Sequence, residues 1–468
     1  MSDPVLNLRH VPSVDQLLRT DAARELRDSI GIKRLTAIAR EVTAELRSLL
    51  RSGGKVPSNG NAAELLLAEA VVRMRATARI ESQTGIRRVI NATGVVLHTN
   101  LGRAPLSIAA RSAIVEEASG FCSLEYDVAT GSRGKRGARV ESLLKDVTGA
   151  EDALVVNNCA AAALLILSVL AGDGETVVSR GELVEIGGDF RVPDVMASSG
   201  TRMVEVGTTN RTHLKDYAQA INANTRLIMH VHPSNYRIVG FATSPSLAEL
   251  SALAHEHGLA VYEDAGSGQL SDLTAYGVTD EPVVSSLVAD GADVISFSGD
   301  KLLGSAQAGL IVGKRAVIER LRKHPLYRAL RSDKLRLAAL EATLVAHQRG
   351  VAAAEVPVIQ MLALTAGDVE QRTRAVMENV TATGLELTLV PGESTVGGGA
   401  GPTCNLPTTL IALSHPRLTA QEIERALRNS SPPLIGRIAE GKVLLDLRTV
   451  LPEELPELAR ILSNPDFV

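Results

Sequence analysis

A lysine and an aspartate each follow an apolar stretch of this chain, and both side-chain types are suited to catalysis. Lys301 follows ADVISFSGD and precedes a second apolar stretch, AGLIVG, while Asp264 ends LAVYED and is followed by AGSG. A lysine amine held out of water is a nucleophile toward carbonyl carbons. A buried carboxylate is costly unless a cation or a hydrogen-bond donor faces it. Each residue alone also has a plainer explanation, because loop lysines are usually solvated and aspartates often cap turns.

A third segment has the features of a phosphate site. DALVVNNCAAAALL is typical of a strand that delivers Asn158, Cys159 and Ala160 to a turn, where an alanine-rich helix begins. Small residues let a ligand approach the backbone N–H groups, and a helix N-terminus attracts anions. The pattern GxxxxGK[ST] is absent, so the segment is not a P-loop. Taken alone, it is also compatible with an ordinary junction between a strand and a helix.

The three segments together match the parts of one kind of site. An enzyme that uses pyridoxal 5′-phosphate needs an anchor for the phosphate, a carboxylate for the protonated pyridine nitrogen and a lysine for the Schiff base. The turn at Asn158, the carboxylate of Asp264 and the amine of Lys301 supply these three parts. The sequence therefore predicts pyridoxal 5′-phosphate as the cofactor, with its Schiff base on Lys301.

The predicted elements would place these residues at one edge of a sheet. From about residue 89 to 320, continuous apolar strands alternate with helices, which indicates a mainly parallel sheet covered on both faces. Such sheets bind ligands at the C-terminal ends of their strands. The predicted domains are a helical N-terminal domain (1–60), a helical linker (61–88), a large α/β domain that binds the cofactor (89–345) and a small α+β domain (346–468). The small α+β domain contains a predicted glycine-rich loop, VGGGAGPTCNLP. A second segment, SGGKVPSNGN (52–61), is predicted to be a hinge loop.

Composition and charge exclude some classes of protein. No uncharged apolar run reaches the ~18 residues that span a bilayer, and the N-terminal residues lack the apolar core of a signal peptide. Three separated cysteines without a CxxC pair favour buried thiols in a reducing cytoplasm over disulfides or a metal site. The net charge is −4, but residues 1–89 contain 15 Lys and Arg against 10 Asp and Glu. This basic segment predicts either a module that binds polyanions or a solvated helical surface.

Longer stretches of the chain resemble one family, the bacterial selenocysteine synthases, or L-seryl-tRNA(Sec) selenium transferases. The resemblance runs from about residue 7 almost to the C-terminus, and two departures keep small side chains. Cys159 stands where the family often has a third asparagine, and GSAQAG replaces GGPQAG after the lysine. The stretches that carry the resemblance are LRHVPSVDQLL, RRVINATGVVLHTNLGRAPLS, SRGELVEIGGDFRVPDVM, EVGTTNRTHLKDY, HVHPSNYRIVGF, EDAGSGQL, SGDKLLGSAQAGLIVGK, HPLYRALRSDKLRLAALEATL and PPLIGRIAEGKVLLDLRTV.

The resemblance implies a fold and a reaction. The fold is that of the fold type I pyridoxal phosphate transferases, which are like aspartate aminotransferase. The reaction converts L-seryl-tRNA(Sec) to L-selenocysteinyl-tRNA(Sec) through an aminoacrylyl-tRNA on the cofactor, with selenophosphate as the selenium donor. The N-terminal helices, residues 1–60, are implied to bind tRNA(Sec), and the assembly is implied to be a homodecamer, a ring of five dimers.

The resemblance also implies roles for individual residues. Lys301 would act as the base at the serine Cα, and Asp300 is expected in the site, where it could tune the lysine, manage the leaving hydroxyl or cap the turn. Cofactor contacts are expected from Asn158, Cys159, Ala160, Asn235, Asp264, Ser298 and Lys301. Arginines for selenophosphate are expected at Arg103, Arg328 and Arg331. The spacing of three residues predicts that Arg328 and Arg331 share a helix face, although without the resemblance a solvated helical surface is the favoured explanation of such a pair.

Two other functions compete with this one. One is a pyridoxal phosphate lyase of the same superfamily that acts on a free amino acid or amino sugar acid and does not need the basic N-terminal helices. The other is an inactive scaffold that binds tRNA, against which the intact Lys301, Asp264 and phosphate segment argue.

Overall fold

The computed structural model describes residues 8–52, 61–82, 85–186, 190–381 and 384–464. The chain forms two compact units, Met1–Arg88 and Val89–Val468. Most of the predicted hinge loop, residues 53–60, lies outside the described residues. None of the helices in the described ranges is long and apolar enough to cross a membrane.

The first unit is built from four helices, α1 (Val14–Leu18), α2 (Asp21–Ile30), α3 (Ile32–Arg51) and α4 (Ala62–Ser82). Helix α1 begins where the sequence predicts, because the Ser13 hydroxyl accepts the Gln16 amide and the Gln16 side chain accepts the Ser13 amide. Helix α4 packs on α3 and shares its apolar core, so it belongs to this unit. The role of residues 61–88 as a linker stays a prediction. The core residues at three- and four-residue spacing are Leu35, Ile38, Val42 and Leu46 on α3 and Leu66, Ala70, Met74 and Ala78 on α4.

The second unit begins with β1 (Ile90–Asn91), α5 (Ile108–Ser112), β2 (Tyr126–Asp127), β3 (Ser132–Arg133), α6 (Ala138–Thr148), β4 (Asp152–Val156), α7 (Cys159–Ala171), β5 (Glu175–Ser179), β6 (Glu185–Ile186), β7 (Phe190–Arg191), α8 (Val192–Ser199) and β8 (Arg202–Val206). It continues with α9 (Leu214–Ala220), β9 (Thr225–Val231), α10 (Leu247–Glu256), β10 (Ala260–Gly266), α11 (Val284–Ala289), β11 (Val294–Ser298), β12 (Gly309–Gly313), α12 (Arg315–Lys323), α13 (Pro325–Leu330) and α14 (Lys334–Gln348). The C-terminal part contains α15 (Ala352–Glu355), α16 (Pro357–Ala363), α17 (Ala366–Glu378), β13 (Glu386–Gly397), β14 (Ala400–Ser414), α18 (Ala420–Arg428), β15 (Leu434–Ile435), β16 (Arg437–Ala439), β17 (Lys442–Asp446) and α19 (Leu455–Leu462).

The central sheet has seven strands in the order β4-β12-β11-β10-β9-β5-β8. Strand β12 is antiparallel to both of its neighbours, and the other pairs are parallel. Separate apolar cores cover the two faces: Val261 and Ile295 belong to one, and Tyr262 and Ile311 to the other. The predicted mainly parallel sheet with helices on both faces is therefore confirmed. Alternation along β10 puts Asp264 on the face of Tyr262 and Glu263 on the opposite face.

A second sheet, β13-β14-β17-β16, is fully antiparallel. The start of the second unit lies beside this sheet, because Thr93 and Val95 bridge to Asp446 on β17 and Thr395 on β13. Just before them, β1 pairs with β15 in a separate two-stranded sheet, with Ile90 opposite Leu434. The start of the segment predicted as the large domain therefore lies against the C-terminal strands.

Candidate active site

A cavity of about 190 Å³ lies where strands β4, β10 and β11 end. Eight of the residues that the sequence singles out line it, which places the lysine, the aspartate and the helix N-terminus in one site. Three of the expected residues, Asn235, Arg328 and Arg331, are not part of its wall. The lining residues are Arg103, Asn158, Cys159, Ala160, Ile186, Asp264, Gly266, Ser298, Asp300, Lys301 and Gln307.

Lys301 sits in a tight loop between β11 and β12 and is buried, with 4% of its surface exposed. The loop closes on itself, because the Gly299 amide donates to the Ala308 carbonyl and the Ser305 amide to the Gly299 carbonyl. The Leu302 amide ties the loop to the Ser267 carbonyl. The two apolar stretches around the lysine are thus neighbouring antiparallel strands, and their connection presents the amine to the cavity.

The Asp264 carboxylate lies at the end of β10, and three donors meet one of its oxygens. Oδ1 lies 3.2 Å from the Gly266 amide, 3.4 Å from the Ser296 hydroxyl and 3.8 Å from the Cys159 thiol. Within the described part of the chain no hydrogen bond occupies Oδ2, which leaves that oxygen for a ligand. Burial raises the pKa of Asp264 to about 6, against the opposing effect of the Lys301 ammonium. A cation facing Oδ2 would favour the ionised carboxylate.

Ser296 and Tyr262 belong to this site although the sequence did not single them out. The Tyr262 and Ser296 hydroxyls are 2.8 Å apart, and Ser296 pairs in register with Asp264. Strand alternation puts Tyr262 and Asp264 on one face of β10. The signal that could have revealed Ser296 is its position in VISFS, two residues before Ser298, once β10 and β11 are aligned.

The N-terminus of α7 forms the end of the cavity predicted to bind phosphate. The Asn158 side chain caps the helix by accepting the Ala161 amide at 2.8 Å. The amides of Cys159 and Ala160 lie in the first turn, where no intrahelical acceptor exists. The Cys159 thiol points elsewhere, lying 3.7 Å from the Ser296 hydroxyl and close to Asp264. Only the backbone of Cys159 is therefore left for an anion, because its side chain supports the carboxylate.

Thiol alkylation should distinguish the cysteines. Cys122 is exposed, whereas burial raises the pKa of the Cys159 thiol to about 12. Because the thiolate is the reactive form, we expect iodoacetamide at pH 8 to modify Cys122 at least about tenfold faster than Cys159. Peptide mass spectrometry measures both rates, and the urea-unfolded chain, in which the thiols should react alike, is the control. Rapid modification of Cys159 in the folded chain would contradict the packing described above.

Arg103 and Asp300 form an ion pair at the wall of the cavity. Arg103 Nη1 lies 2.8 Å from Asp300 Oδ2, and the Ala104 amide reaches the Asp300 carbonyl at 3.4 Å. Asp300 is buried, while the Arg103 side chain keeps 25% of its surface exposed. Arg103 adopts a φ of 62°, in the left-handed region, directly after Gly102. The turn and the ion pair together fix the direction of the guanidinium.

The three remaining predicted residues lie outside the cavity wall. Asn235 is exposed, and its amide donates to the Glu185 carbonyl at 2.7 Å. Arg328 is exposed on α13, whereas Arg331 Nη1 lies 3.6 Å from Glu125 Oε1. The predicted shared helix face is wrong, because α13 ends at Leu330 and Arg331 is extended. The physical reason is sheet pairing: Arg331 bridges to Val156, and the Leu330 carbonyl accepts the Asn157 amide.

Comparison with known proteins identifies the family. Residues 89–451 match the family described as L-seryl-tRNA selenium transferase, and residues 8–47 match the family described as selenocysteine synthase N terminal. The chain belongs to the L-seryl-tRNA selenium transferase family. It is 47% identical over 460 residues to the L-seryl-tRNA(Sec) selenium transferase of Geobacter metallireducens, covering 97% of this chain and 98% of that protein. It is 46% identical to the enzyme of the same name from Moorella thermoacetica, covering 97% of this chain and 96% of that protein.

A solved structure supports the fold. D-Glucosaminate-6-phosphate ammonia-lyase superposes with a TM-score of 0.56 over 82% of this chain and 97% of that one, at 22% identity. At this identity the likeness concerns the fold alone. The predicted fold type I architecture of the selenium transferase family is confirmed, with its central sheet, N-terminal helices and C-terminal sheet.

The residues of this selenium transferase family member fit pyridoxal 5′-phosphate, the cofactor of the family. The free Oδ2 of the buried Asp264 suits a protonated ring nitrogen. The first amides of α7 suit a phosphate, and the buried Lys301 amine suits an aldehyde carbon. The donors and charges of the cavity therefore match the three polar parts of this cofactor.

Proposed function

We propose that this chain converts L-seryl-tRNA(Sec) to L-selenocysteinyl-tRNA(Sec), with pyridoxal 5′-phosphate bound through Lys301 and selenophosphate as the selenium donor. One observation carries the proposal: the cavity brings Lys301, Asp264 and the N-terminus of α7 together in a chain that matches the selenium transferase family over residues 89–451. Removal of a serine hydroxyl needs a base at Cα and an acceptor for the negative charge that develops there. These are the two things that a lysine and a protonated pyridine ring provide.

Each residue of the cavity then has a task. The cofactor supplies a ring that accepts electrons from Cα. Lys301 holds the cofactor before substrate binds and takes the Cα proton afterwards, while Asp264 keeps the ring nitrogen protonated through Oδ2. Asn158 orders the first turn of α7, whose amides bind the phosphate, and Ser298 at the end of β11 adds a hydroxyl. Within this proposal Asn235, which the resemblance to the family implies, contacts the edge of the ring.

The selenium donor is a small polyanion and needs arginines. Arg103 is the best placed, because it lines the cavity and Asp300 fixes its direction. The contact of Asp300 with Arg103 adds a fourth role to the three left open for it, which is to position the arginine that binds the donor. Arg331 bridges to Val156, and Arg328 lies three residues earlier, on α13. We assign both to the outer part of the donor site.

The decisive experiment uses the complete substrate. Purified protein should convert seryl-tRNA(Sec) to selenocysteinyl-tRNA(Sec) when selenophosphate is added, and it should leave free serine and free amino sugar acids unchanged. Mass spectrometry of the aminoacyl group released from the tRNA measures the product. Equal turnover of a free amino acid would replace this function with that of a lyase.

The N-terminal unit has a basic stripe, which we define as Lys33, Arg40 and Arg47 on α3. The three residues are exposed and recur every seven positions, so they lie on one side of the helix. We propose that this stripe binds tRNA phosphates.

The triple change Lys33→Glu, Arg40→Glu and Arg47→Glu should weaken tRNA(Sec) binding at least about tenfold at 0.15 M salt. It should also lower the slope of log affinity against log salt by about 2 to 3. Filter binding across a salt series measures both.

A matched control for the stripe lies in the same unit. Arg19, Arg24 and Arg75 are also exposed, but each already pairs with a carboxylate, at 2.7, 3.0 and 2.7 Å. Changing these three to glutamate should alter tRNA affinity less than the stripe variant does. Equal losses would assign binding to net charge and contradict a localised surface.

We also propose a homodecamer of five dimers in the cytoplasm. The decamer rests on the resemblance to the family, and the cytoplasmic location is supported by the free cysteines of the described chain, which suit a reducing compartment.

A further inference from the structure

Most of the glycine-rich segment that the sequence predicts as a loop, VGGGAGPTCNLP, is strand in the structure. It covers the end of β13 and the first half of β14, and only Gly398 and Gly399 lie between them as a two-residue turn. We call residues 397–401 the glycine hairpin. Gly397, Gly398, Gly399 and Gly401 all have φ values between 54° and 74°. The two central residues, Gly398 and Gly399, have the positive φ values that a two-residue turn of this kind requires. The turn alone therefore explains why both favour glycine, but it does not explain what the hairpin touches.

The first two glycines are also required by packing. A Cβ atom at Gly397 would collide with Cγ1 of Val95, and one at Gly398 would lie 2.7 Å from Cβ of Leu97. The neighbouring backbone holds the hairpin, since the Val96 and Leu97 amides donate to the Thr395 and Val396 carbonyls. Any side chain at these two positions would displace the hairpin itself.

Gly399 differs, because the space beside it belongs to the active site. A Cβ atom there would lie 3.7 Å from Lys301 Nζ, 3.7 Å from Ser234 Oγ and 3.9 Å from Asn235 Cβ. These are ordinary contact distances, so packing does not forbid a side chain. Ser234 is 1% exposed. Its Oγ would also lie 3.7 Å from a Cβ atom added at Gly266. The missing side chain of Gly399 thus leaves a small space bordered by the reactive amine and a buried hydroxyl.

The hairpin is anchored on both sides of its tip, so this space is a fixed feature. On one side are the hydrogen bonds to residues 96 and 97. On the other, the Gly401 amide donates to Glu281 Oε1 at 2.6 Å, and Glu281 is 6% exposed. Glu281 Oε2 in turn lies 3.4 Å from His232 Nε2. A buried, paired carboxylate therefore sets the position of Gly399 relative to Lys301.

We propose that Gly399 is a specificity-determining residue, because it leaves open, next to Lys301 Nζ, the space that the seryl side chain of the substrate occupies. This inference rests on the proposed function and deepens it. The base that takes the Cα proton must lie beside Cα, so the substituent on Cα must lie within a few ångströms of the same amine. CH₂OH is one of the smallest substituents that Cα can carry, and Ser234 Oγ, which borders the space, is placed to contact its hydroxyl. Larger aminoacyl side chains would meet the backbone of the glycine hairpin.

The experiment compares two small esters that differ only in this side chain, glycine methyl ester and L-serine methyl ester. Their binding to the full-length protein loaded with cofactor is followed by the change in visible absorbance. Gly399→Ala should weaken serine ester binding by about 10- to 200-fold, the range for one misplaced methyl-sized group. It should change glycine ester binding less than about threefold. Gly441→Ala is the matched control, because Gly441 has a φ of 72° with open space around it.

Each outcome decides the inference. Selective loss of the serine ester in Gly399→Ala, with Gly441→Ala like the unmodified protein, supports it. Three other results would overturn the inference. Equal loss of binding for both esters in Gly399→Ala indicates strain in the turn, and unchanged binding of both indicates that the space is not used. Absence of any absorbance change with either ester in the unmodified protein indicates that the site is closed to them. Failure of the proposed function looks different, because the unmodified protein would then bind the esters selectively but leave seryl-tRNA(Sec) unconverted.

Discussion

Replacing Lys301 with alanine should abolish the visible absorbance of the bound cofactor and lower selenocysteinyl-tRNA(Sec) formation by about a thousandfold or more. The amine has two tasks in the proposed reaction, holding the cofactor before the substrate binds and moving the proton at Cα. No other lysine lines the cavity among the described residues. Absorbance of the purified protein after addition of cofactor and the tRNA conversion assay measure the two losses.

The control for this change is a lysine next to the same pair of strands. Lys314 follows β12, and its amine lies 2.6 Å from Asp293 Oδ1, outside the cavity. Lys314→Ala should keep both absorbance and activity. Added methylamine should restore part of the Cα proton transfer in Lys301→Ala, because it can enter the space that the side chain leaves. An absorbance band that persists in Lys301→Ala would transfer the lysine assignment to another residue.

The sequence predicts correctly the location of those site residues that follow the ends of buried strands. An apolar run followed by a polar residue locates the end of a buried strand, and parallel strands bring their C-terminal ends to one edge. This local rule is enough to place Asp264, Lys301 and Asn158 in one cavity. It also predicts Ser298, because that residue ends β11.

The part that the sequence does not predict depends on pairing between distant segments. Arg331 was expected on a helix because its neighbours have helical spacing, yet its backbone pairs with Val156. The pairing of Ile90 with Leu434 joins residues from the two ends of the second unit, and the pattern of apolar residues along the chain does not predict it. The position of the glycine hairpin near Lys301 is of the same kind, since 98 positions separate Gly399 from the lysine.

The environment of Asp264 also explains why one departure from the family pattern is tolerated. The resemblance to the family leads one to expect an asparagine at the position of Cys159, whose thiol turns toward Asp264 and Ser296. In the proposed phosphate site the backbone at this position binds the anion, so the side chain can change without changing the amides. The thiol is a weak donor, and Asp264 Oδ1 keeps two stronger ones, the Gly266 amide and the Ser296 hydroxyl.

The second large effect is expected from Asp264→Asn, which should lower tRNA conversion by about a hundredfold or more while making the cofactor-free protein more stable. Activity falls because a neutral amide does not hold the ring nitrogen protonated. The control is Glu263→Gln. Glu263 is the adjacent residue and is also buried, but it pairs with His230 on the opposite face of the sheet and should leave the absorbance spectrum of the cofactor unchanged.

The stability change has a defined pH dependence. Burial raises the pKa of Asp264 from 3.8 to about 6, so the folded cofactor-free chain binds this proton more tightly than the unfolded chain does. Stability due to this group is therefore highest below pH 3.8 and is lost as the pH rises to 6. With about 1.4 kcal/mol per pKa unit, Asp264→Asn should raise the free energy of unfolding by about 3 kcal/mol at pH 7 and by little near pH 4. Urea unfolding of both proteins at these pH values measures the difference. Since the cofactor supplies the cation that Oδ2 lacks, adding it should stabilise the unmodified protein more than the variant, and equal stabilisation would contradict a contact between Asp264 and the ring nitrogen.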